Sequence, residues 1–444
     1  MRRCLCLLVC LLLVPLAARA DDLMISGHTD AHEAYQRFCE DHPDLTVTAD
    51  LSRYYTNSDL VGAFLTGEFP YDVFTMDTST FNLEKLFDKG YCVDLSGSEV
   101  IREAVEQMHP AIQRLVTLNG AIYGLPSSAR IAYLRYNPEA WEQAGLSEAD
   151  VPDSFPAYLD FLDAWLERLE DDPNNTFSVH GYFDESLYTE ATYTELLTKQ
   201  LIAEHTQQSS YAGVSLRFNA PDFLSLLRRC EITGRRLYAL DPGPYGKALL
   251  FETSSFITNL DELVPLRLTP EQPMLLGATL HLALIYAGSQ HQENAIEYLE
   301  DCLRVMPDNA WATLARDHGP VVNDDYEQTV ALWQERVDAA RAQLETVSEA
   351  GHFEAEDALE TLEFILADVA APENRYTITE EQMALYQAYG DKLYFQPPSV
   401  FQADSEQASN LRSLISQFAY GRIPAEMLVK RLNELAIMLE NEMQ

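Results

Sequence analysis

Residues 23–50 read LMISGHTDAHEAYQRFCEDHPDLTVTAD, and residues 71–76 read YDVFTM. Leu23 to Ser26 is a short apolar run of strand length. Between Asp30 and Asp41, Ala31, Ala34, Tyr35 and Phe38 fall on one helical face; Leu45, Val47 and Ala49 then alternate as a strand. Asn57-Ser58-Asp59 has the side chains of a helix N-cap ahead of Leu60, Phe64 and Leu65, and Tyr71 to Met76 follows as a third strand. The order βαβαβ predicts a parallel sheet with helices on its faces. Ligands of such sheets lie beyond the carboxyl ends of the strands. The loops to watch are therefore His28 to Asp30 and Asp77 to Thr80.

Working outward, the chain has 444 residues, 47% of them hydrophobic and 23% charged, enough for two cores of ordinary size. Lys and Arg number 30 against 70 Asp and Glu, a formal net charge of −40. Such a chain is repelled by phosphate backbones and anionic lipid, which argues against nucleic acid as a partner. Residues 1–20 have the layout of a secretory signal. Arg2 and Arg3 precede an apolar run from Cys4 to Val14, and Ala18-Arg19-Ala20 offers a small-residue cleavage site. The run is too short to span a bilayer, and no cysteine follows Ala20 to carry a lipid. The expectation is an exported chain starting at Asp21, periplasmic or at the cell surface. Export permits disulfides among Cys39, Cys92, Cys230 and Cys302, whose spacing leaves all three pairings, or free thiols, open.

A second α/β region begins near Ala129. Ile131 to Tyr136, Lys247 to Phe251 and Leu275 to Tyr286 read as strands. Ser154 to Leu169, Tyr193 to Ala203 and Pro221 to Cys230 read as helices. The apolar run Leu275 to Ala287 is interrupted by Gly277, Thr279 and His281. From Glu327 to Val369 the apolar residues step by three and four on both sides of Gly351, which predicts an antiparallel helical hairpin. A last helix starts at Pro424, a residue suited to a first helical turn.

Several segments, in order, resemble the extracellular solute-binding proteins of ABC importers, in the group with sugar-type ligands. Phe38 to Asp44 followed by Thr46 to Thr48 is similar to that family's entry to the second strand. Gly67 to Phe74 resembles its G-x-x-P-D-V strand, and Gly90 to Leu95 its G-x-L-x-D-L turn. Gly120 to Pro126 with Tyr136-Asn137 resembles the first crossing between lobes, and Pro152 to Phe155 its P-x-T-W segment, with Phe155 in place of Trp. Ser289 to Leu299, His318 to Asn323 and Gly421 to Leu428 resemble the later motifs. The resemblance implies a two-lobe α/β fold of the type II periplasmic-binding-protein kind. Lobe 1 would comprise 21–128 and a return segment 271–325, lobe 2 would comprise 129–270 and the C-terminal helices 371–444, and 326–370 would be an inserted hairpin. It implies capture of a solute, carbohydrate above all, in the cleft, and delivery by hinge closure to permease subunits. No cofactor, metal or catalysis is implied, and the expected state is a monomer.

Carried over position by position, the resemblance implies ligand contacts at His28 and Asp30 in the first loop and at Asp77, Thr78 and Ser79 in the next. Ser127 and Arg130 fall at the first crossing. Tyr182, Tyr188, Ser254, Phe256, Gln396 and Phe401 supply lobe 2 and the late loop. Flat aromatic faces pack on the C–H face of a sugar and polar side chains take its hydroxyls. Each has a plainer reading beside it: helix caps for the Asp77 loop, an ion pair for Arg130, core packing for the aromatics. Two rivals stand against a binding protein. A secreted glycosidase would need a carboxylate pair, which 70 acids supply by chance, but the sequence contains no H-E-x-x-H, G-x-S-x-G or P-loop motif. An interaction scaffold would need tetratricopeptide repeats, and the half-unit at Asn294 to Trp311 has no second copy.

Overall fold

The computed structural model describes residues 22–27, 32–50, 62–64, 66–67, 69–78, 82–172, 174–181, 188–255, 257, 259–347, 352–395 and 406–443. The expected signal segment and the cap at Asn57 to Asp59 lie outside these residues. One mixed sheet runs through the molecule. Its strands are β1 (Asp22–Ser26), β2 (Thr46–Asp50), β3 (Val73–Asp77), β4 (Leu125–Tyr136), β5 (Phe177–His180), β6 (Lys247–Ser255), β7 (Leu263–Val264), β8 (Leu276–Ile285) and β9 (Leu393–Phe395). The order is β2-β1-β3-β8-β4-β6-β5, with β9 on β8 and β7 on β4. β1 pairs in parallel with β2 and β3, as the βαβαβ reading requires; β8 then runs antiparallel to both β3 and β4.

The helices that matter below are α1 (His32–Asp41), α2 (Phe155–Asp171), α3 (Thr192–Tyr211), α4 (Pro221–Leu240), α5 (Gln292–Arg304) and α6 (Asp308–Leu314). They are followed by α7 (Tyr326–Thr346), α8 (His352–Val369), α9 (Glu406–Ala419) and α10 (Ala425–Met443). Starts follow the local chemistry. Asn137 and Ser154 accept backbone N–H groups at 3.3 and 3.4 Å, and Pro221 opens α4 where no N–H partner is needed.

Two separate apolar cores give two lobes. In lobe 1, Leu23, Ile25, Phe38, Phe74, Leu282 and Leu284 pack with Tyr298 and Leu299 of α5. In lobe 2, Trp141, Tyr158, Trp165, Leu201, Phe223 and Leu249 pack with Phe418 and Leu432. β4 is the bridge: Ala129, Ile131 and Tyr133 belong to the first core and Leu134 to the second. The lobe boundary thus falls inside a continuous strand and not at residue 128. A second correction concerns the expectation that all of 371–444 completes lobe 2. Ile378, Met383, Tyr386, Leu393 and Phe395 belong to the lobe 1 core, because β9 pairs with β8 and the Tyr386 hydroxyl donates to the Thr313 carbonyl at 2.7 Å. Among the described residues of that segment, those of α9 and α10 return to lobe 2.

α7 and α8 form the expected hairpin. Its base is fastened by Tyr326 Oη donating to Ala370 O at 2.8 Å and by pairing of Val321–Val322 with Tyr376–Ile378. Cys39, Cys92, Cys230 and Cys302 are free thiols, and burial raises the pKa of Cys92 in one core and of Cys230 in the other. Among the described residues, no helix is long and apolar enough to cross a membrane.

Candidate functional site: the face of the crossing strands

Strand periodicity builds the site. Side chains two apart share a face, and directly paired residues on neighbouring strands share it too. On β8, Gly277, Thr279 and His281 therefore point one way. Arg130 pairs with Thr279, Ser128 with His281, and Asp77 of β3 with His281 from the other side. The result is a polar strip on the strands between the lobes, with the buried residues Ala129, Ile131, Ala278 and Leu280 on the opposite face. The lower row is Asp77–His281–Ser128, in which Nδ1 of His281 contacts a carboxylate oxygen of Asp77. Ser127, exposed at the same end, donates to the His281 carbonyl at 3.4 Å, beside a β-bulge between His281 and Leu282. The upper row is Thr279 with the exposed Arg130.

Lobe 2 faces this strip with α3. Gln200, Glu204 and Gln207 recur at helical spacing on one side of it. A Cβ added at Gly277 would lie 3.1 Å from Oε1 of Gln207, so the small residue admits the lobe 2 side chain. Ala132, Gly277, Glu204 and Gln207 line a depression of about 90 Å³. Burial raises the pKa of Glu204, against the hydrogen bond from Gln208 that lowers it. Gln200 donates to the exposed Glu252 at 2.7 Å, while its own buried Oε1 has no partner among the described residues. At the edge of the strip the lobes touch directly, Tyr394 Oη of β9 donating to Ser210 Oγ of α3 at 2.6 Å.

The sequence-derived residues distribute as follows. Asp77, Ser127 and Arg130 come together on the strip. Thr78 is adjacent, but its Oγ1 accepts from Leu280 N at 3.0 Å and its N–H donates to Leu280 O at 3.0 Å, so it extends the sheet ladder. Tyr188 is elsewhere, packed in lobe 2 against Tyr193 and Tyr238 with ring centroids at 6.0 and 5.4 Å and against Gly243. Its neighbour in that knot is Asp241, which accepts from Ser178 Oγ, Tyr193 Oη, Val179 N and Gly243 N at 2.5–2.8 Å. His28, Asp30, Ser79, Tyr182, Phe256, Gln396 and Phe401 lie outside the described residues, as does the side chain of Ser254. Ser128, which the sequence places at the first crossing with Ser127 and Arg130, joins the strip; the residues that sequence reading missed are His281, Thr279, Gln200, Glu204 and Gln207. For the strand members a signal was available: polar residues at every second position of an otherwise apolar run mark one solvated face.

No protein-family model matches the chain, and no curated protein sequence matches it. Solved structures do. A chitin oligosaccharide binding protein superposes with a TM-score of 0.54 at 14% identity, covering 94% of this chain and 98% of that one. The cyclic alpha-maltosyl-1,6-maltose binding protein from Arthrobacter globiformis gives 0.51 at 12% identity, over 94% and 97% of the two chains. Maltose-bound MalE3 of T. maritima gives 0.51 at 12% identity, over 94% and 99%. At such identities the likeness is one of fold. The chain has the two-lobe α/β architecture of those binding proteins across nearly its whole length.

Proposed function

We propose that this protein binds an extracytoplasmic carbohydrate, an oligosaccharide in particular, on the strip between its lobes and hands it to the permease of an ABC importer after hinge closure. The observation that carries the reading is the composition of that strip. Acceptors and donors alternate along it (Asp77, His281, Ser128, Thr279, Arg130), and a second polar row on α3 faces it from the other lobe. Sugar hydroxyls need paired donors and acceptors, because an unpaired buried polar group costs free energy. A ligand bonded to both rows stabilises the closed arrangement over the open one, and only that difference in affinity drives closure. The similar folds bound to or named for oligosaccharides support the same ligand class. The signal-like segment 1–20 supports export. Delivery to a permease, action as a monomer and absence of catalysis follow from the family reading and stand or fall with it.

The test is isothermal titration with malto-, chito- and xylo-oligosaccharides. One class should bind saturably at one site without being cleaved. Arg130→Ala and Gln200→Ala, one from each lobe, should each weaken it by roughly tenfold or more, the worth of one good polar contact. Turnover of the sugar, or binding indifferent to both changes, would remove the reading.

A further inference from the structure

The polar strip continues downward into lobe 1 as an apolar cavity. On the face that carries His281, the next residues of β8 are Ala283 and Ile285; Thr75 and Val73 succeed Asp77 on β3, and Ile25 pairs with Val73 on β1. Each step inward from the carboxyl ends of β1 and β3 is less polar than the last. Between this floor and helices α1, α5 and α6 lies a space of about 360 Å³. Its inner wall is Ile25, Ala34, Val73 and Ala283; α5 and the turn after it supply Tyr298, Cys302 and Met306; Ser127, Ser128 and His281 form the rim. The volume is within the usual range of ligand pockets, and more than twice the roughly 150 Å³ that admits a benzene ring.

One group in the cavity calls for a partner. Tyr298 is 2% exposed and lines the space; among the described residues its hydroxyl has no oxygen or nitrogen partner, and its polar neighbours are the Cys302 thiol, one helical turn on, Cys39 and Tyr35. A buried tyrosine hydroxyl with only thiols and a second tyrosine around it gains from a stronger acceptor.

We infer that the cavity is a second subsite, which takes the apolar arm of an amphipathic solute whose polar head rests on the Asp77–His281–Ser128 rim. The chemical class is an alkyl or aryl glycoside, with Tyr298 available to a polar atom toward the end of the arm. The headgroup part of this inference rests on the carbohydrate reading above; the pocket itself does not.

The experiment uses the purified protein with methionine methyl groups labelled for NMR, the Met306 signal being identified by Met306→Leu. The probes are 1-octanol, methyl β-glucoside, and octyl β-glucoside below its micelle concentration. The expected result is a saturable shift of the Met306 methyl with 1-octanol and with octyl glucoside. Octyl glucoside should bind roughly tenfold or more tighter than methyl glucoside, which burial of about two methylenes supplies. Ala34→Phe, which fills the inner end, should abolish the 1-octanol shift in a protein of unchanged circular dichroism. If that variant fails to fold, Val305→Phe near the rim serves the same purpose. An unmoved Met306 methyl with both octyl probes overturns the subsite even if sugars bind. A saturable octanol shift in a protein to which no glycoside binds sustains the pocket and rejects the carbohydrate headgroup.

Discussion

Asp77 and His281 make the residue-scale case. Their contact joins the end of β3 to the middle of β8 at the point where the sheet face turns from apolar to polar. Asp77→Ala is expected to lower oligosaccharide affinity by about tenfold or more, since it removes an acceptor from the strip together with its contact to His281. Titration calorimetry reads this directly, and unchanged affinity would place the ligand off the strip. A second residue sets a pH limit. His180 is buried with Nε2 2.5 Å from the Tyr158 hydroxyl, and burial lowers its pKa to about 3. In the unfolded chain the ring takes a proton near pH 6.5, while in the folded chain it does not until about pH 3. The unfolded state thus binds more protons throughout that window. Stability is full above pH 6.5 and falls as the pH drops toward 3. Melting temperatures from pH 7.5 to 4 should show this decline, and His180→Gln should flatten it. Asp77 was legible in the sequence because it ends an obvious strand. His281 was legible only as one member of the alternating row Gly277, Thr279 and His281, and its place in a site depends on the strands that pair beside it.

At the scale of elements, helix packing gives the sharpest expectation. Gly234 lies within α4, where a glycine costs helix stability, yet a Cβ there would come within 2.5 Å of Thr194 Oγ1 and 2.7 Å of the Thr194 backbone. The bare Cα therefore allows α3 and α4 to touch, and α3 carries the lobe 2 side of the site. Gly234→Ala should destabilise by about 1–3 kcal/mol despite its better helix propensity, visible as a lower urea midpoint. A gain in stability would mean that the helices have room to part. The hairpin of α7 and α8 is the opposite case. Its base is closed by Tyr326, Ala370 and a two-stranded ladder, while Phe353 and Phe364 are 80% and 75% exposed on α8. Replacing residues 327–369 by a short Gly-Ser link should shift the melting temperature by no more than about 2 °C, or ~1 kcal/mol, and leave titration with oligosaccharide unchanged. Elements such as these were readable from periodicity, since each declares its own apolar face. The assignment of 376–395 to lobe 1 was not, because β9 is three residues long and its place depends on β8, more than a hundred positions earlier.

The whole molecule is two cores joined by strands that belong to both. β4 passes from one core to the other without a break, and β8, paired to β3, β4 and β9, holds the strip at a fixed register against lobe 1. The second polar row rides on α3 and is held to lobe 1 at its end by Tyr394 and Ser210. Rotation of one lobe about the crossing strands would bring the two rows together around a ligand. The two-lobe plan was legible through the resemblance, with two α/β regions in agreement; that the passage from one core to the other falls within β4 required the cores themselves. The most direct measurement of the central claim is small-angle X-ray scattering of the protein alone and with saturating oligosaccharide of each class. The account predicts that one class reduces the radius of gyration, and that Arg130→Ala reverses the effect at the same sugar concentration. A radius of gyration unmoved by every oligosaccharide would contradict it.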